Sequence, residues 1–115
     1  MILKNGAIFP IQDADTTLRR LRDLHCYHID GSAFYRLRDV MDAMGVPEKR
    51  SVRDNVSQRI RKEHKRYLWE KKRTKSGKVY SDRRLCYIDL SGVECIILRY
   101  GGRTPRAVLI NALPK

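Results

Sequence analysis

The sequence predicts an α+β fold, in which a small antiparallel sheet of hairpins packs with several short helices in a single domain. The chain of 115 residues is long enough for one hydrophobic core and too short for two. Apolar residues recur with a period near 3.6 in some segments and alternate in others. Glycines and turn dipeptides separate these segments, and no internal repeat or low-complexity linker interrupts them.

The N-terminal part is predicted to hold a hairpin, a helix and a strand. A short hairpin is expected in residues 2–11, and a strand in residues 25–29 that ends at the turn Asp30-Gly31. Between them, Asp15 or Thr16 could cap a helix. The stripe that predicts this helix consists of leucines three residues apart, Leu18, Leu21 and Leu24.

A pair of helices that resembles a helix-turn-helix is predicted next. Ser32 is expected to cap the first helix, and Gly45 to end it in a left-handed conformation before Pro47. The second helix is expected to begin near Pro47 or at Ser51, where Ser51 and Asp54 form a capping-box pattern. The expected buried positions are Phe34, Leu37, Val40, Met41 and Met44 in the first helix, and Val52, Val56 and Ile60 in the second.

A basic β-hairpin is predicted for residues 66–80, with its turn at residues 74–78. A further strand is expected over residues 85–90, because apolar residues continue there in a short run. Ser91 would then cap a helix that ends at Gly101-Gly102. Thr104 and Pro105 would start a last helix as its cap and first residue. The expected buried positions of these two helices are Val93, Ile96, Ile97 and Tyr100, then Val108, Leu109, Ala112 and Leu113.

Nearly all of the net charge lies between residues 48 and 84. The whole chain has 25 Lys and Arg against 13 Asp and Glu, a formal net charge of +12. Residues 48–84 alone hold fifteen basic and five acidic side chains, a balance of +10. Apolar residues recur within this segment, so we predict a folded element with a cationic face rather than a solvated tail. Such a face is typical of a surface that binds a polyanion, and double-stranded DNA is the expected partner, with an acidic protein surface as the alternative.

The second predicted helix and the basic hairpin supply the candidate contacts to nucleic acid. Arg50 and Arg53 are expected to read base edges, because the planar guanidinium group matches guanine O6 and N7. The other cations would bind phosphates. Tyr67 and Trp69 could stack on exposed bases, but strand aromatics are more often buried, and we expect Trp69 in the core. The candidate nucleic-acid-binding residues are Lys49, Arg50, Arg53, Arg59, Arg61, Lys62, Lys65, Arg66, Lys71, Lys72, Arg73, Lys75, Lys78 and Arg83.

Metal, cofactor and catalytic sites are not expected. His25, Cys26 and His28 have ligand chemistry, but a strand would place His25 and Cys26 on opposite faces, and a fourth ligand is not evident. Asp39 and Asp42 are three apart on a predicted helix beside arginines, which favours surface ion pairs over a metal site. No nucleophile–base arrangement or phosphate-binding loop occurs in the sequence, so the protein is expected not to be an enzyme.

The compartment follows from what the sequence contains. Its three cysteines, an odd number without a CxxC pair, read as small core residues of a reducing environment. The N-terminus does not have the pattern of a signal peptide, and no apolar run reaches the roughly 18 residues that span a bilayer. We therefore expect a cytoplasmic protein (in the host cytoplasm if a phage encodes it) without a membrane partner. A homodimer is one arrangement that the sequence leaves open.

Three ordered runs of residues resemble the BRO-type N-terminal domain, which baculovirus BRO proteins share with many phage antirepressors. Residues 35–45, YRLRDVMDAMG, resemble the family's F-x-x-x-D-V-x-x-x-L-G opening, with Tyr35 in place of phenylalanine. Residues 87–93, YIDLSGV, resemble its step from a strand into a helix, and residues 103–107, RTPRA, its S-x-x-P-x-A restart. The resemblance covers about residues 25–113 and leaves residues 1–24 as an N-terminal extension.

The resemblance implies a DNA-associated α+β domain of phage or viral type that regulates transcription. In that case the basic helix and hairpin would bind duplex DNA. The resemblance also admits an antirepressor or an anti-host inhibitor that binds a protein, either a repressor or a complex that handles nucleic acid. RNA binding is the second alternative, for which single-strand preference and dependence on Trp69 or Tyr67 are expected.

Overall fold

Five α-helices and a four-stranded antiparallel sheet form the part of the chain that the structure describes. It is a computed structural model that describes residues 12–73 and 79–115, with side chains for residues 12–69 and 84–115. The predicted hairpin in residues 2–11 and the predicted turn at residues 74–78 lie outside the described residues. Within them, the helices and the sheet share one hydrophobic core, which confirms the predicted α+β class.

Helix α1, Ala14–Arg22, packs against the core through the leucine stripe. Leu21 is fully buried. The cap is Asp13, whose carboxylate accepts a hydrogen bond from the Thr16 amide at 2.8 Å. The predicted cap at Asp15 or Thr16 is therefore wrong, because the cap lies two or three residues earlier.

A tight hairpin follows, formed by strand β1, Tyr27–Ile29, and strand β2, Ser32–Arg36. Asp30 and Gly31 connect the strands with φ values of 52° and 80°. Two central residues with positive φ are what a two-residue hairpin of matching twist requires. The predicted turn is confirmed, while the strand before it is shorter than the predicted residues 25–29.

The prediction that Ser32 caps a helix is wrong, since this residue opens β2. Phe34 and Tyr35 are both buried, and as neighbours in a strand they point to opposite faces of the sheet. Two adjacent apolar residues of this kind also fit a buried helical stripe, which is why the periodicity was misleading.

Helix α2, Leu37–Ala43, ends as predicted at Gly45. The φ of Gly45 is +73°, and its amide donates to the Asp42 carbonyl at 3.2 Å. The Val46 amide donates to the Met41 carbonyl at 2.9 Å. These two bonds make a Schellman motif, which satisfies carbonyls that the end of a helix leaves open.

Helix α3, Arg50–Arg59, presents Val56 to the core, and Ile60 is buried directly after it. Six residues, 44–49, connect α2 to α3, and α3 begins between the two predicted starts, near Pro47 and at Ser51. The predicted capping box is wrong, because Ser51 already lies inside the first turn of α3 and Lys49 precedes it without a side-chain cap.

Strands β3, Lys65–Arg73, and β4, Val79–Asp89, form a long hairpin. A short 3₁₀ turn, Lys62–His64, leads into it from α3. The order in the sheet is β1-β2-β4-β3. The two separate strands that the sequence predicts between residues 79 and 90 are one continuous β4. Because β2 pairs with β4 only at residues 87–89, the distal part of β3 and β4 continues beyond the sheet as a two-stranded ribbon.

The last two elements of the chain are helices α4, Leu90–Tyr100, and α5, Arg106–Ala112, and both contribute side chains to the core. Asp89 caps α4 by accepting from the Gly92 amide at 3.0 Å, so the predicted cap at Ser91 is wrong. Gly101 ends α4 as predicted. Pro105 occupies the cap position of α5, one residue later than the predicted cap at Thr104.

The core brings together side chains from all parts of the described chain. Its fully buried members include Val40, Ile88, Ile96 and Leu109. Tyr35 belongs to it, and its hydroxyl donates a hydrogen bond to the Pro114 carbonyl. Burial, together with the neighbouring Cys26 thiol, raises the pKa of Tyr35 to about 12. None of the described helices has the length and apolar character needed to cross a membrane.

Candidate nucleic-acid interface

The outer face of α3 carries arginines that point away from the core. The side chain of Arg50 is 95% exposed and lies 3.7 Å from Asp54, one turn along the helix. Arg59 is also exposed, and its Nε donates to Asn55 Oδ1 at 3.0 Å. Val56 occupies the opposite face of the helix, where it is buried. The exposed ion pair of Arg50 and the exposed hydrogen bond of Arg59 each contribute little free energy, so both guanidinium groups can exchange them for a phosphate.

Arg53 has a different environment, which does not suit the predicted reading of bases. Its side chain is only 16% exposed and lies 2.8 Å from Asp42 Oδ1. Its guanidinium group also donates to the Val46 carbonyl at 2.9 Å and to the Pro47 carbonyl at 3.1 Å. These bonds fasten α3 to the end of α2. We therefore remove Arg53 from the candidate interface and assign it to the fold.

Lys65 is also engaged within the protein. Its Nζ donates to the Ser57 carbonyl in α3 at 2.8 Å, and the residue is half-buried. Lys49, before α3, and Lys62, in the 3₁₀ turn, are exposed. Arg61 is exposed too and lies 3.6 Å from Glu63. Of these four predicted contacts, Lys49, Arg61 and Lys62 remain accessible to a ligand.

The 3₁₀ turn is held against the start of α4 by a histidine–aspartate contact. His64 Nδ1 lies 3.0 Å from Asp89 Oδ2, while the other oxygen of that carboxylate caps α4. Both side chains are about three-quarters buried. Lys62 begins this turn and is exposed between α3 and β3.

The ribbon exposes aromatic side chains close to its root. Trp69 is 66% exposed and Tyr67 is 45% exposed, so the prediction that Trp69 belongs to the core is wrong. Arg84 lies over the ring of Tyr67, with its guanidinium carbon 4.3 Å from the ring centroid. Burial and the adjacent Cys86 raise the pKa of Tyr67, and burial raises the pKa of the Cys86 thiol. The ring and the guanidinium group therefore form a neutral–cationic stack on the surface.

The opposite face of the ribbon has a different composition. Arg66 lies over the buried ring of Phe34, 5.5 Å from its centroid, and its Nη1 donates to the Lys65 carbonyl at 3.1 Å. Leu68 is exposed on this face at 41%. The remaining predicted cations of the ribbon can be placed by backbone only. Lys71, Lys72 and Arg73 lie on β3 and Arg83 on β4, while Lys75 and Lys78 lie outside the described residues.

Helix α3 and the aromatic face of the ribbon lie on the same side of the molecule. Lys65 pairs with the buried Ile88, and directly paired residues share a face of the sheet. Alternate residues of β3 keep to that face, so Tyr67 and Trp69 follow Lys65. Because Lys65 also binds the Ser57 carbonyl, α3 is seated at the root of the face from which the two rings emerge.

Arg84 and the exposure of Trp69 are the features of this surface that sequence reasoning missed. The alternation of Lys65, Tyr67 and Trp69 was a signal that these residues share one face. The position of Arg84 opposite Trp69 was hidden, because the register shifts by one residue between Lys72 and Arg73. Counting residues along β3 and β4 from the turn between them therefore gives the wrong cross-strand pairs.

Within residues 12–73 and 79–115, no group of three or more His, Cys, Asp or Glu side chains is arranged to hold a metal ion. His25 is exposed and packs edge-on against Tyr27, with 4.4 Å between the ring centroids. Asp42 forms an ion pair with the largely buried Arg53 of α3, whereas the sequence predicts surface pairs with arginines of its own helix. Comparison of the chain with protein-family models, with curated proteins and with solved structures found no match.

Proposed function

We propose that this protein is a DNA-binding regulatory domain that binds duplex DNA through the outer face of α3 and the basic ribbon. The observation that carries the proposal is the division of α3, with Val56 buried and Arg50 and Arg59 exposed on the other side. Each cation that reaches a phosphate releases condensed counterions, so binding gains strength with every contact. A helix or a two-stranded ribbon has the width that the major groove accepts.

The roles of the cations follow from their surroundings. Arg50, near the N-terminal end of α3, is free to turn its planar donors toward the edge of a guanine. Arg59, Arg61 and Lys62 lie along the path from α3 to the ribbon and would bind phosphates. Lys49 precedes the helix and would add a further phosphate contact.

The likeness to the BRO-type N-terminal domain supports a phage or viral regulator, and we propose membership of that family. The three runs of residues that carry the likeness fall on β2 and α2, on the junction of β4 and α4, and at the start of α5.

Binding to a protein, as an antirepressor or an anti-host inhibitor, is the second candidate function. One observation favours it: Leu98 of α4 and Val108 of α5 are exposed, and these two helices pack against each other. Exposed apolar side chains on neighbouring elements are candidate contacts for a protein partner.

A salt titration with matched variants tests DNA binding. Affinity for a blunt duplex is measured at several salt concentrations for the wild type and for the triple variant Arg50→Gln, Arg59→Gln, Lys62→Gln. The control variant, Arg19→Gln, Arg22→Gln, Arg99→Gln, removes the same charge from exposed positions on α1 and α4.

We expect a steep linear fall of log affinity with log salt in the wild type. The interface variant should bind more weakly, with a slope reduced by up to about 2.7, since each lost phosphate contact removes about 0.9. The control variant should keep most of the slope. Equal losses of affinity in the two variants would mean that binding depends on net charge and not on this surface. A protein complex that survives added salt would favour the second candidate function, binding to a protein.

A further inference from the structure

Trp69 is a large aromatic side chain that the fold leaves in solvent. It is 66% exposed on β3, although aromatic side chains are among those that gain most from burial. Leu68 does not cover it, because adjacent residues in a strand point to opposite faces. An exposed tryptophan on a cationic ribbon is therefore a candidate contact for a ligand with a flat, apolar face.

Arg84 is held beside Trp69 by Tyr67. It pairs directly with Trp69 across the ribbon, and its guanidinium group is stacked on the ring of Tyr67. This stack takes up one face of the tyrosine ring and restrains the guanidinium group on the strand opposite Trp69, while leaving its N–H donors at the edge of the plane. The site thus combines the exposed indole ring of Trp69 with the guanidinium group of Arg84, whose N–H groups can bind an anion.

A nucleotide has these two complementary features, a planar base and a phosphate. Within a duplex the faces of the bases are covered by their neighbours, and only their edges are open in the grooves. An aromatic side chain can stack on a base only where the strand is unpaired. Charge favours nucleic acid over a protein partner, since residues 65–84 hold nine Lys and Arg against two Asp and Glu.

We propose that Trp69 stacks on an unpaired DNA base while Arg84 binds the adjoining phosphate. The preferred ligand is then a duplex that continues into a short single strand. The inference rests on the proposed function for the duplex part, which lies on α3 and on the basic side chains of the ribbon and does not involve Trp69. The unpaired part continues onto the ribbon, because α3 is seated at the root of the face that carries Trp69.

Beside a free thymine strand and the same duplex with a ribonucleotide extension, the experiment compares three DNAs that share one duplex sequence: a blunt duplex, the same duplex with a short thymine extension, and one with an abasic extension of the same length. The two extensions carry the same phosphates, and only the thymine extension offers bases. Trp69 is the single tryptophan of the chain, so its fluorescence reports on this site without a label.

We expect the thymine extension to quench Trp69 fluorescence and to bind about 5- to 100-fold more tightly than the abasic extension, the range that stacking on one base supports. Trp69→Ala should remove this preference and leave affinity for the blunt duplex unchanged. Trp69→Phe should restore part of it. Leu68→Ala is the matched control, because it removes an exposed apolar side chain from the opposite face of the same strand.

The outcomes separate this inference from the proposed function. Binding to all three DNAs with equal affinity and without quenching overturns the stacking site while duplex binding stands. Quenching by a free thymine strand together with no binding to the blunt duplex supports the stacking site and rejects the proposed function. Tighter binding of a ribonucleotide extension than of the matching DNA extension overturns the assignment to DNA. If neither the ribonucleotide nor the DNA extension quenches the fluorescence, Trp69 has no role in binding nucleic acid.

Discussion

Arg50 and Arg53 lie three positions apart in α3, and their guanidinium groups have opposite environments. Arg50 is almost fully exposed, whereas Arg53 is bound by two backbone carbonyls and by Asp42. The sequence treats them as equivalent base readers, because the pattern of apolar residues places both off the buried stripe. It does not reveal the path of residues 44–49, whose carbonyl groups receive Arg53.

Replacing each of these two arginines by methionine, in separate variants, should show which residue contributes to stability and which to DNA binding. Arg53→Met keeps an apolar stem but leaves the carbonyls of Val46 and Pro47 without their donor. We expect the free energy of unfolding to fall by about 2 kcal/mol, because hydrogen bonds to charged groups are lost. Arg50→Met should change it by no more than about 0.5 kcal/mol, since its ion pair is exposed.

Urea denaturation and duplex affinity, measured on both variants, check this prediction. Arg50→Met should lose affinity for duplex DNA at unchanged stability. Arg53→Met should retain affinity at a temperature where it is folded. A loss of affinity in folded Arg53→Met, with stability unchanged, would return Arg53 to the interface and contradict its structural role.

At the scale of elements, helices were easier to predict from the sequence than the details of the sheet. The stripes of α1, α3 and α4 fix those helices because each has one buried face. β2 was missed because both faces of Phe34–Tyr35 are buried, which removes the alternation that identifies a strand. The extent of β4 was missed because its outer half pairs with β3 and not with β2, so it extends beyond the sheet whose core produces the apolar pattern.

The junction of β4 and α4 depends on a glycine for close packing. Gly92 is buried in the first turn of α4, and its amide binds the capping carboxylate of Asp89. A Cβ added to Gly92 would lie 2.8 Å from Cβ of Ile88 and 3.4 Å from Cγ2 of Ile60. The nearer contact involves a branch point close to the backbone, so a side-chain rotation cannot relieve it.

Gly92→Ala should therefore destabilise the protein, although alanine is the better helix former. Overpacking typically costs about 1–3 kcal/mol, which exceeds the gain of about 1 kcal/mol from helix propensity. The exposed neighbour Ser91 gives the control: Ser91→Ala should leave stability equal or slightly higher. Thermal and urea unfolding of the two variants measure the difference, and a Gly92→Ala variant as stable as Ser91→Ala would show that the junction has room for a methyl group.

At the scale of the whole molecule, the sequence predicts the fold class and the excess of charge, but not the surface on which a ligand would lie. The class follows from periodicities that each segment carries by itself. The common side of α3 and the aromatic face depends on a contact between Lys65 and the Ser57 carbonyl, and on a register that a bulge displaces. Both arise only when distant segments pack together.

The net charge of +12 leads to a prediction about the free protein. Ion pairs such as Arg50–Asp54, Arg61–Glu63 and Arg106–Glu94 are exposed or half-exposed and 3.6–3.9 Å long, so they offset little of the repulsion among the cations. Salt shortens the screening length from about 30 Å at 0.01 M to about 10 Å at 0.1 M, which weakens this repulsion. Raising salt over that range should therefore stabilise the free fold, by on the order of 1 kcal/mol, or roughly 4 °C in the thermal midpoint.

Duplex DNA should reverse the sign of this dependence. At low salt, bound DNA should raise the midpoint, because a ligand that binds only the folded state stabilises it. Added salt should then lower the midpoint of the complex as binding weakens, while it raises that of the free protein, until the two values meet. The triple variant Arg19→Gln, Arg22→Gln, Arg99→Gln should show a smaller salt effect in the free state and keep the effect of DNA. A midpoint of the free protein that falls with salt would mean that local ion pairs, and not the collective repulsion of the cationic surface, dominate its electrostatic free energy.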